Sequence, residues 1–198
     1  MRSEEKERRV DVPSRAECLV LMSRYHMLEN IIQHSLVVCR VGVYLSQELN
    51  RLSEGLDLEE IEAGALLHDI TKTRSFRTGE DHAVSGAQLL RELGYPRVGE
   101  IVEQHIHLKG KGYPERISAL EMVNYADKRV RHADIVSLKE RFLDLLERYG
   151  NNPGAAGRIS CLEQETTLLE KRIFERLDFG PDDLSRILAE KSSELPCT

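Results

Sequence analysis

The chain has 198 residues, of which 40% are hydrophobic and 31% are charged; this balance excludes a disordered chain and fits one globular domain with at most a short appendage. The formal net charge of −6 argues against a nucleic-acid partner, because non-specific binding to nucleic acid depends on clusters of cations. No uncharged segment approaches the roughly 20 apolar residues that a membrane-spanning helix needs, so no membrane partner is expected.

The first predicted element is a flexible, solvated tail at residues 1–12. It begins MRSEEKERRV, which is dense in charge and lacks the apolar segment of a secretory signal peptide. The four cysteines of the chain form no CxxC pair, which excludes a zinc ribbon and disfavours a secreted disulfide scaffold. We therefore predict a cytoplasmic location.

From residue 13 onward the pattern is helical. In a capping box, a Ser or Asp at the helix start is followed three residues later by Glu. This spacing occurs at Ser14 and Glu17, at Asp57 and Glu60, and at Ser118 and Glu121. Because no segment alternates apolar and polar residues as a strand does, the predicted fold class is all-α, a helical bundle. The helices are expected at about residues 14–28, 30–52, 58–68, 82–93, 96–108, 118–148, 159–177 and 182–193.

Two segments interrupt the helical pattern. Residues 70–81 read ITKTRSFRTGED, which is polar and basic, and residues 150–157 read GNNPGAAG, which is rich in turn residues. We therefore divide the chain into a domain at residues 13–149, a linker at residues 150–157 and a C-terminal helical appendage at residues 158–198.

An apolar stripe follows the C-terminal appendage. Its members share one face of a predicted helix and are Leu162, Leu169, Ile173 and Leu177. The simplest interpretation is that this helix packs back on the core. The alternative is a homodimer contact through the C-terminal helices.

Four polar residues fall on the apolar faces of separate predicted helices. They are His34, His68, His105 and Asp127. Burial of such groups without partners is costly, so four helices that each direct one inward indicate a common partner. A divalent metal ion is the simplest such partner, and imidazole nitrogens with carboxylate oxygens suit Fe, Mn, Co, Ni or Zn.

The order of these residues is also recognisable. The chain has His34, the adjacent pair His68 and Asp69, and Asp127 within NYADKR. This set resembles the signature of the HD-domain metal-dependent phosphohydrolases. His82 in HAVSGA and His105 in IVEQH are similar to the two additional histidines of the family members that bind two metal ions.

The resemblance covers about residues 25–135. The chain has HDITK where the family more often has HDIGK, so Thr71 replaces a frequent glycine. Within the family, the chain resembles the diadenosine tetraphosphate hydrolases of the YqeK type, which share the HAxxGA segment and the ADK helix.

The resemblance implies a bundle of helices with two divalent ions between them, iron being the first candidate. It implies that one ion is held by His34, His68, Asp69 and Asp127. It implies that the second is held by His82 and His105, with Asp69 as a bridge.

The implied chemistry is phosphate ester or anhydride hydrolysis, because a metal ion can supply hydroxide at neutral pH. Asp69 would orient the attacking oxygen and accept its proton. The resemblance implies that Lys72 contacts the substrate phosphate. Arg131 is expected one turn beyond Asp127 on the same helix face and is a second candidate for substrate binding, whereas Arg74 and Arg77 are expected in a solvent-facing loop.

Three assignments stay open at this point. His105 and His107 compete as ligands in the sequence QHIH, with the spacing from Ile101 favouring His105. His82 is alternatively an ordinary residue of a first helical turn, in which case one metal ion remains. His26 and His132 are expected to be structural or surface residues.

The sequence therefore predicts a metal-dependent phosphohydrolase that acts on a small phosphorylated molecule, such as a nucleotide or a dinucleoside polyphosphate. One alternative is a di-iron oxygenase with the same ligand set. The other is a metal-stabilised regulatory module without catalytic activity.

Overall fold

The computed structural model describes residues 11–110 and 116–194 of the chain. Residues 1–10 of the predicted tail lie outside the described residues. The tail prediction is wrong at its last residue, because Val12 is buried in the hydrophobic core.

The described residues are mainly α-helical, which confirms the all-α fold class. The helices are α1 (Arg15–Arg24), α2 (Glu29–Arg51), α3 (Leu58–Leu67), α4 (Lys72–Thr78), α5 (His82–Glu92), α6 (Pro96–Gln104), α7 (Ala119–Lys128), α8 (Leu138–Tyr149), α9 (Pro153–Phe174) and α10 (Leu184–Glu194). Two short strands, β1 (Val130–Arg131) and β2 (Asp134–Ile135), pair antiparallel between α7 and α8. A single 3-10 turn at Pro181–Asp183 precedes α10.

The helix starts follow their capping residues. The predicted capping boxes at Ser14 and Ser118 are both present. Asp57 caps α3 through two backbone N–H groups, but the Glu60 carboxylate pairs with Arg97 instead of completing a box.

The core forms around α2, which packs against α3 and α7. Its inward face includes Val38, Val41 and Leu45, all fully buried. On α3, Gly64 lies so close to α6 that a Cβ atom at this position would be 2.7 Å from the Ile101 side chain. The absent side chain therefore brings together two helices whose C-terminal ends carry His68 and His105.

The predicted helix at residues 118–148 is interrupted. Helix α7 ends at Lys128, and the hairpin of β1 and β2 turns through His132, which has a positive φ of 56°. Helix α8 then begins at its own capping box, formed by Ser137 and Glu140. That S-x-x-E spacing is a signal in the sequence that the periodicity of the apolar residues obscured.

Two segments expected to be irregular are helical. Residues 72–78 form α4, which buries none of its side chains and therefore leaves no apolar periodicity to detect. Residues 153–157, assigned to the linker, are the first turns of α9, which starts at Pro153 after the Asn152 cap.

The C-terminal helices pack back on the domain. Leu162, Leu169 and Ile173 of α9 are buried in the same hydrophobic cluster as α2 and α3, and Leu177 packs against it. The division into a domain and an appendage, and the homodimer contact, stay predictions. Within the described residues, no helix combines the length and hydrophobicity needed to cross a bilayer.

Candidate metal centre

The structure brings all six predicted ligands together. They come from the inner ends or faces of five helices: His34 from α2, His68 and Asp69 from the end of α3, His82 from the start of α5, His105 from the end of α6 and Asp127 from α7. Their donor atoms form two groups, each with atoms within 4.8 Å of one another. His34, His68 and Asp127 form the first group, and Asp69, His82 and His105 form the second.

Backbone carbonyls fix the orientation of three of the four imidazoles. The Nδ1 atoms of His34, His68 and His105 lie 2.9, 2.7 and 2.7 Å from the carbonyl oxygens of His132, Ala65 and Val102, respectively. Because a carbonyl oxygen can only accept a hydrogen bond, Nδ1 donates, and the lone pair of each neutral ring is left on Nε2. The Nε2 atoms face the two carboxylates, as in the outer-shell arrangement typical of metal-bound histidines.

Asp69 lies between the two groups. Its Oδ1 atom is 3.2 Å from His82 Nε2 and 3.7 Å from His105 Nε2. Its Oδ2 atom is 2.7 Å from Lys72 Nζ and 3.4 Å from His68 Nε2. The carboxylate therefore contacts both halves of the centre, which is the position expected of a bridging ligand.

Two buried atoms of the centre have no hydrogen-bond partner among the described residues. They are His68 Nε2 and Asp69 Oδ1. Such atoms are costly to bury, and the cost is offset when a cation takes the place of the missing partner. The chemistry of the donor set, with imidazole nitrogens and carboxylate oxygens, fits a divalent transition metal.

Asp69, Asp127 and His105 have the charges that metal ligation requires. Burial alone would raise the pKa of both carboxylates. The neighbouring His68 and Lys72 instead hold the pKa of Asp69 well below its usual range. Lys128 and His34 do the same for Asp127. Burial, together with the charge of His68, lowers the pKa of His105 to about 3. Ionised carboxylates and a neutral imidazole bind a cation without first losing a proton. For His68, burial would lower the pKa, but the charges of Asp69 and Asp127 raise it, so a metal ion would displace a proton there.

A cavity of about 580 Å³ opens onto the centre. Among the described residues, five cationic side chains line it, compared with two carboxylates, Asp69 and Asp127. The cations are Lys72, Lys128, Arg141, Arg148 and Arg158. A cavity with this excess of positive charge, in a chain with a net charge of −6, favours an anionic ligand.

The placement predicted for Arg131 is wrong. Arg131 lies in β1, beyond the end of α7, because the helix stops at Lys128. It is therefore not one helical turn beyond Asp127, and it is not one of the residues that line the cavity. Its predicted role in substrate binding loses its structural reason.

The structure also separates the histidines whose place in the ligand groups the sequence left open. His82 and His105 belong to the second ligand group, whereas His107 is exposed and lines the cavity without joining either group. His132 is closer to the centre than expected: its carbonyl oxygen orients His34, and its Nε2 atom accepts a hydrogen bond from Arg148.

Thr71, the departure from the common motif, supports the second group. Its hydroxyl donates to the carbonyl oxygen of His82 at 2.9 Å and lies 2.9 Å from Ser85 Oγ. Lys128 has a comparable role, because its ammonium bonds Asp127 and the carbonyl oxygen of His105. The ADK sequence places Lys128 next to Asp127, so the sequence contained a signal that Lys128 lies at the centre. It contained no such signal for the contacts of Thr71 and His132.

Comparison with known proteins agrees with this geometry. The model of the HD domain family matches residues 31–151. Uncharacterized protein MJ0778 of Methanocaldococcus jannaschii is 31% identical over 72% of the chain and 91% of its own length. No solved structure matches the chain.

Two further relatives have names that refer to RNA. A tRNA (cytidine(56)-2'-O)-methyltransferase of Picrophilus torridus is 30% identical over 78% of the chain, and a ribonuclease Y of Thermosipho melanesiensis is 27% identical over 83%. The chain matches only 46% and 30% of the lengths of these two proteins. The similarity to the YqeK-type hydrolases stays a prediction.

Proposed function

Because the chain belongs to the HD domain family, we propose that it is a metal-dependent phosphohydrolase that cleaves a phosphoester or phosphoanhydride bond in a small phosphorylated molecule. A nucleotide or a dinucleoside polyphosphate is the proposed substrate class. The observation that carries the proposal is the pair of ligand groups that share Asp69 at the base of a cation-lined cavity.

His34, His68 and Asp127 would hold one divalent ion and His82 and His105 a second, with Asp69 between them. Iron is the first candidate, and Mn, Co, Ni and Zn suit the same ligands. Bound there, the metal would supply the charge that polarises a phosphoryl oxygen and activates water at neutral pH.

The contacts of Asp69 and Lys72 support the roles proposed for them. Asp69 is fully buried and ionised, so it can orient an attacking water and accept its proton. Lys72 Nζ is 2.7 Å from Asp69 Oδ2, yet about a third of its side chain is exposed to the cavity. Its ammonium is therefore available to a phosphoryl oxygen beside the ligands, where positive charge stabilises the transition state.

Other cations can hold the non-reacting part of the phosphate. Arg141 lines the cavity; its Nη1 atom pairs with Asp144 at 3.2 Å, while its buried Nε atom has no hydrogen-bond partner among the described residues. Lys128 also lines the cavity but is engaged with Asp127 and a backbone carbonyl. Arg141 is thus the better candidate for a direct contact.

The test is hydrolysis of a panel of phosphoesters and nucleotides by protein stripped of metal and reloaded with single metals. We expect turnover only after reloading. Asp69→Asn and His68→Ala should lower kcat by at least about a hundredfold, because each removes a ligand and Asp69 also orients the water.

His107→Ala is the matched control, since His107 lines the same cavity outside both ligand groups. It should keep activity within a few-fold of the unaltered chain. Turnover that survives in both ligand variants would contradict the proposal, and substrate-dependent oxygen uptake after iron loading would support the oxygenase alternative instead.

A further inference from the structure

Two aromatic side chains are exposed at the cavity of the candidate metal centre. Phe76 on α4 is 66% exposed and Tyr149 at the end of α8 is 58% exposed, and both line the cavity. All other aromatic residues within the described ranges are buried or half-buried. An aromatic ring in water contributes little to the core, so two at one cavity point to a ligand.

Phe76 is placed to act together with Lys72. The two residues are four apart on α4, and residues at this spacing lie on the same face of a helix. The ring of Phe76 is therefore within reach of a ligand whose phosphate contacts Lys72. Tyr149 lines the same cavity from α8, so the two rings approach the space from different helices.

The remaining wall is formed by residues of α8 and α9. Leu145, Ile159 and Leu162 supply apolar surface, and Arg158 supplies an exposed cation for which no ion pair is found among the described residues. Helix α9 begins at Pro153, beyond the residues 31–151 that match the family model. The part of this wall that α9 supplies therefore lies outside the residues that match the family model.

We infer that Phe76 and Tyr149 form a nucleobase-binding subsite, which makes the substrate a free nucleoside phosphate. The inference rests on the proposed function for the phosphate half of the ligand only. The flat faces of a base stack on aromatic rings, while its phosphate lies toward Lys72 and the metal ligands. The cavity volume of about 580 Å³ is in the range of small-molecule sites.

A free nucleotide fits the charge distribution better than a polymer does. Long single-stranded nucleic acid binds along a continuous groove of cations. Here the described cations at the site are gathered in one cavity of a chain whose net charge is −6. The RNA-related names of two relatives make an oligonucleotide the alternative to be tested.

The experiment is equilibrium binding by calorimetry, with the full chain loaded with Mn²⁺ and carrying Asp69→Asn, so that the probes are not hydrolysed during the titration. The probes are AMP, GMP, CMP and UMP, and ribose 5-phosphate, which has the same phosphate and sugar without a base. We expect at least one nucleotide to bind about tenfold more tightly than ribose 5-phosphate, the size of one base–aromatic stacking contact.

Phe76→Ala and Tyr149→Ala should each weaken binding of that nucleotide about five- to tenfold and leave ribose 5-phosphate unchanged. Both side chains are exposed, so neither change is expected to disturb folding. Leu143→Ala is the matched control, because Leu143 is 57% exposed on α8 and does not line the cavity. It should change neither affinity.

The two proposals fail in different ways. Equal affinity for nucleotides and ribose 5-phosphate, or no effect of the two aromatic variants, overturns the base subsite even if the protein hydrolyses phosphoesters. Base-dependent binding without hydrolysis overturns the phosphohydrolase and supports the subsite. Tighter binding of a 5′-phosphorylated RNA decamer than of any mononucleotide overturns the assignment to a free nucleotide.

Discussion

At the residue scale, the orientation of each imidazole decides which nitrogen can bind metal. His105 donates from Nδ1 to the carbonyl oxygen of Val102, which leaves Nε2 toward Asp69. His107, two residues further along the chain, lies past the end of α6 and is exposed. The two histidines therefore differ in burial and direction although they are neighbours in sequence.

The difference between His105 and His107 predicts how substitution of each one changes the metal content of the protein. His105→Ala removes one donor from the Asp69 and His82 group, and we expect the protein to retain about one metal ion fewer per chain or to bind it 10- to 100-fold more weakly. His107→Ala should retain the unaltered content. Elemental analysis after dialysis measures both, and equal losses would contradict the assignment of His105.

Cysteine reactivity is a second property set residue by residue. Burial and the nearby Glu62 raise the pKa of the Cys18 thiol to about 12, and burial with Glu62 raises that of Cys39 to about 11. Both thiols therefore stay protonated and unreactive between pH 7 and 9. Cys161 on α9 is exposed.

We expect a thiol reagent to modify Cys161 in the native protein and to reach Cys18 and Cys39 only after denaturation. Because the thiolate is the nucleophile, the raised pKa values should keep the two buried thiols unmodified between pH 7 and 9. Peptide mass mapping of labelled protein distinguishes the three sites. Labelling of Cys18 in native protein at pH 8 would show that α1 opens under these conditions.

At the scale of elements, a buried network joins α7 to the C-terminal helices. Arg129, at the C-cap of α7, bonds the Tyr125 hydroxyl, the Glu170 carboxylate of α9, and the carbonyl oxygens of Val136 and Pro181. The side chain of Arg129 is almost fully buried. One guanidinium thus connects the hairpin, α9 and the turn before α10.

Arg129→Ala should lower the free energy of unfolding by about 3 kcal/mol, because it leaves several buried polar groups without partners. It should also make α9 and α10 more susceptible to limited proteolysis than the rest of the chain. Arg186→Ala is the control, since Arg186 forms only exposed ion pairs on α10. Equal stability of the two variants in urea titrations would contradict a connecting role for Arg129.

Helix packing gives a paired prediction on two glycines. A Cβ at Gly64 would meet Ile101 at 2.7 Å, whereas one at Gly157 would meet no atom within 4 Å. Gly64→Ala should therefore destabilise the fold by about 1–3 kcal/mol and weaken metal binding, since it pushes α6 and His105 away from α3. Gly157→Ala should stabilise α9 by about 0.5–1 kcal/mol.

Thermal unfolding and metal titration of both variants test this pair. A Gly64→Ala variant as stable as the unaltered chain would mean that α3 and α6 can separate without cost. A loss of stability at Gly157 would mean that the N-terminal part of α9 is not helical in solution.

At the scale of the whole molecule, the sequence was most informative about polar residues that lie on the buried face of a helix. His34 and Asp127 were predicted because polar residues interrupt apolar faces, and the structure places their side chains 3.0 Å apart. The helical fold followed from the same periodicity. The sequence did not predict helix α4. This helix buries no side chain, so its apolar residues show no helical periodicity.

Other features depend on contacts that a single segment does not encode. The hairpin at residues 130–135 breaks a helix through backbone geometry at His132, and the role of His132 is exercised by its carbonyl oxygen, which every residue possesses. The failed placement of Arg131 followed directly from that unforeseen hairpin. Sequence reasoning thus named the residues that converge at the candidate centre and missed much of the shell that orients them; their role as ligands stays a prediction.

Because five helices converge on the candidate centre, a metal ion bound there would stabilise the entire fold. A ligand that binds only the native state stabilises it by about 2.7 kcal/mol at a free concentration one hundred times Kd. Metal-loaded protein should therefore unfold several degrees above protein treated with a chelator. The double change His68→Ala and His105→Ala should abolish this difference, because it removes one buried donor from each of the two ligand groups. His107→Ala should preserve it. Calorimetric scans of the three proteins, each loaded with metal and treated with chelator, make the comparison without any assay of activity. A metal-dependent rise that persists in the double variant would mean that the stabilising ion binds outside the two ligand groups, and the proposed metal centre would be wrong.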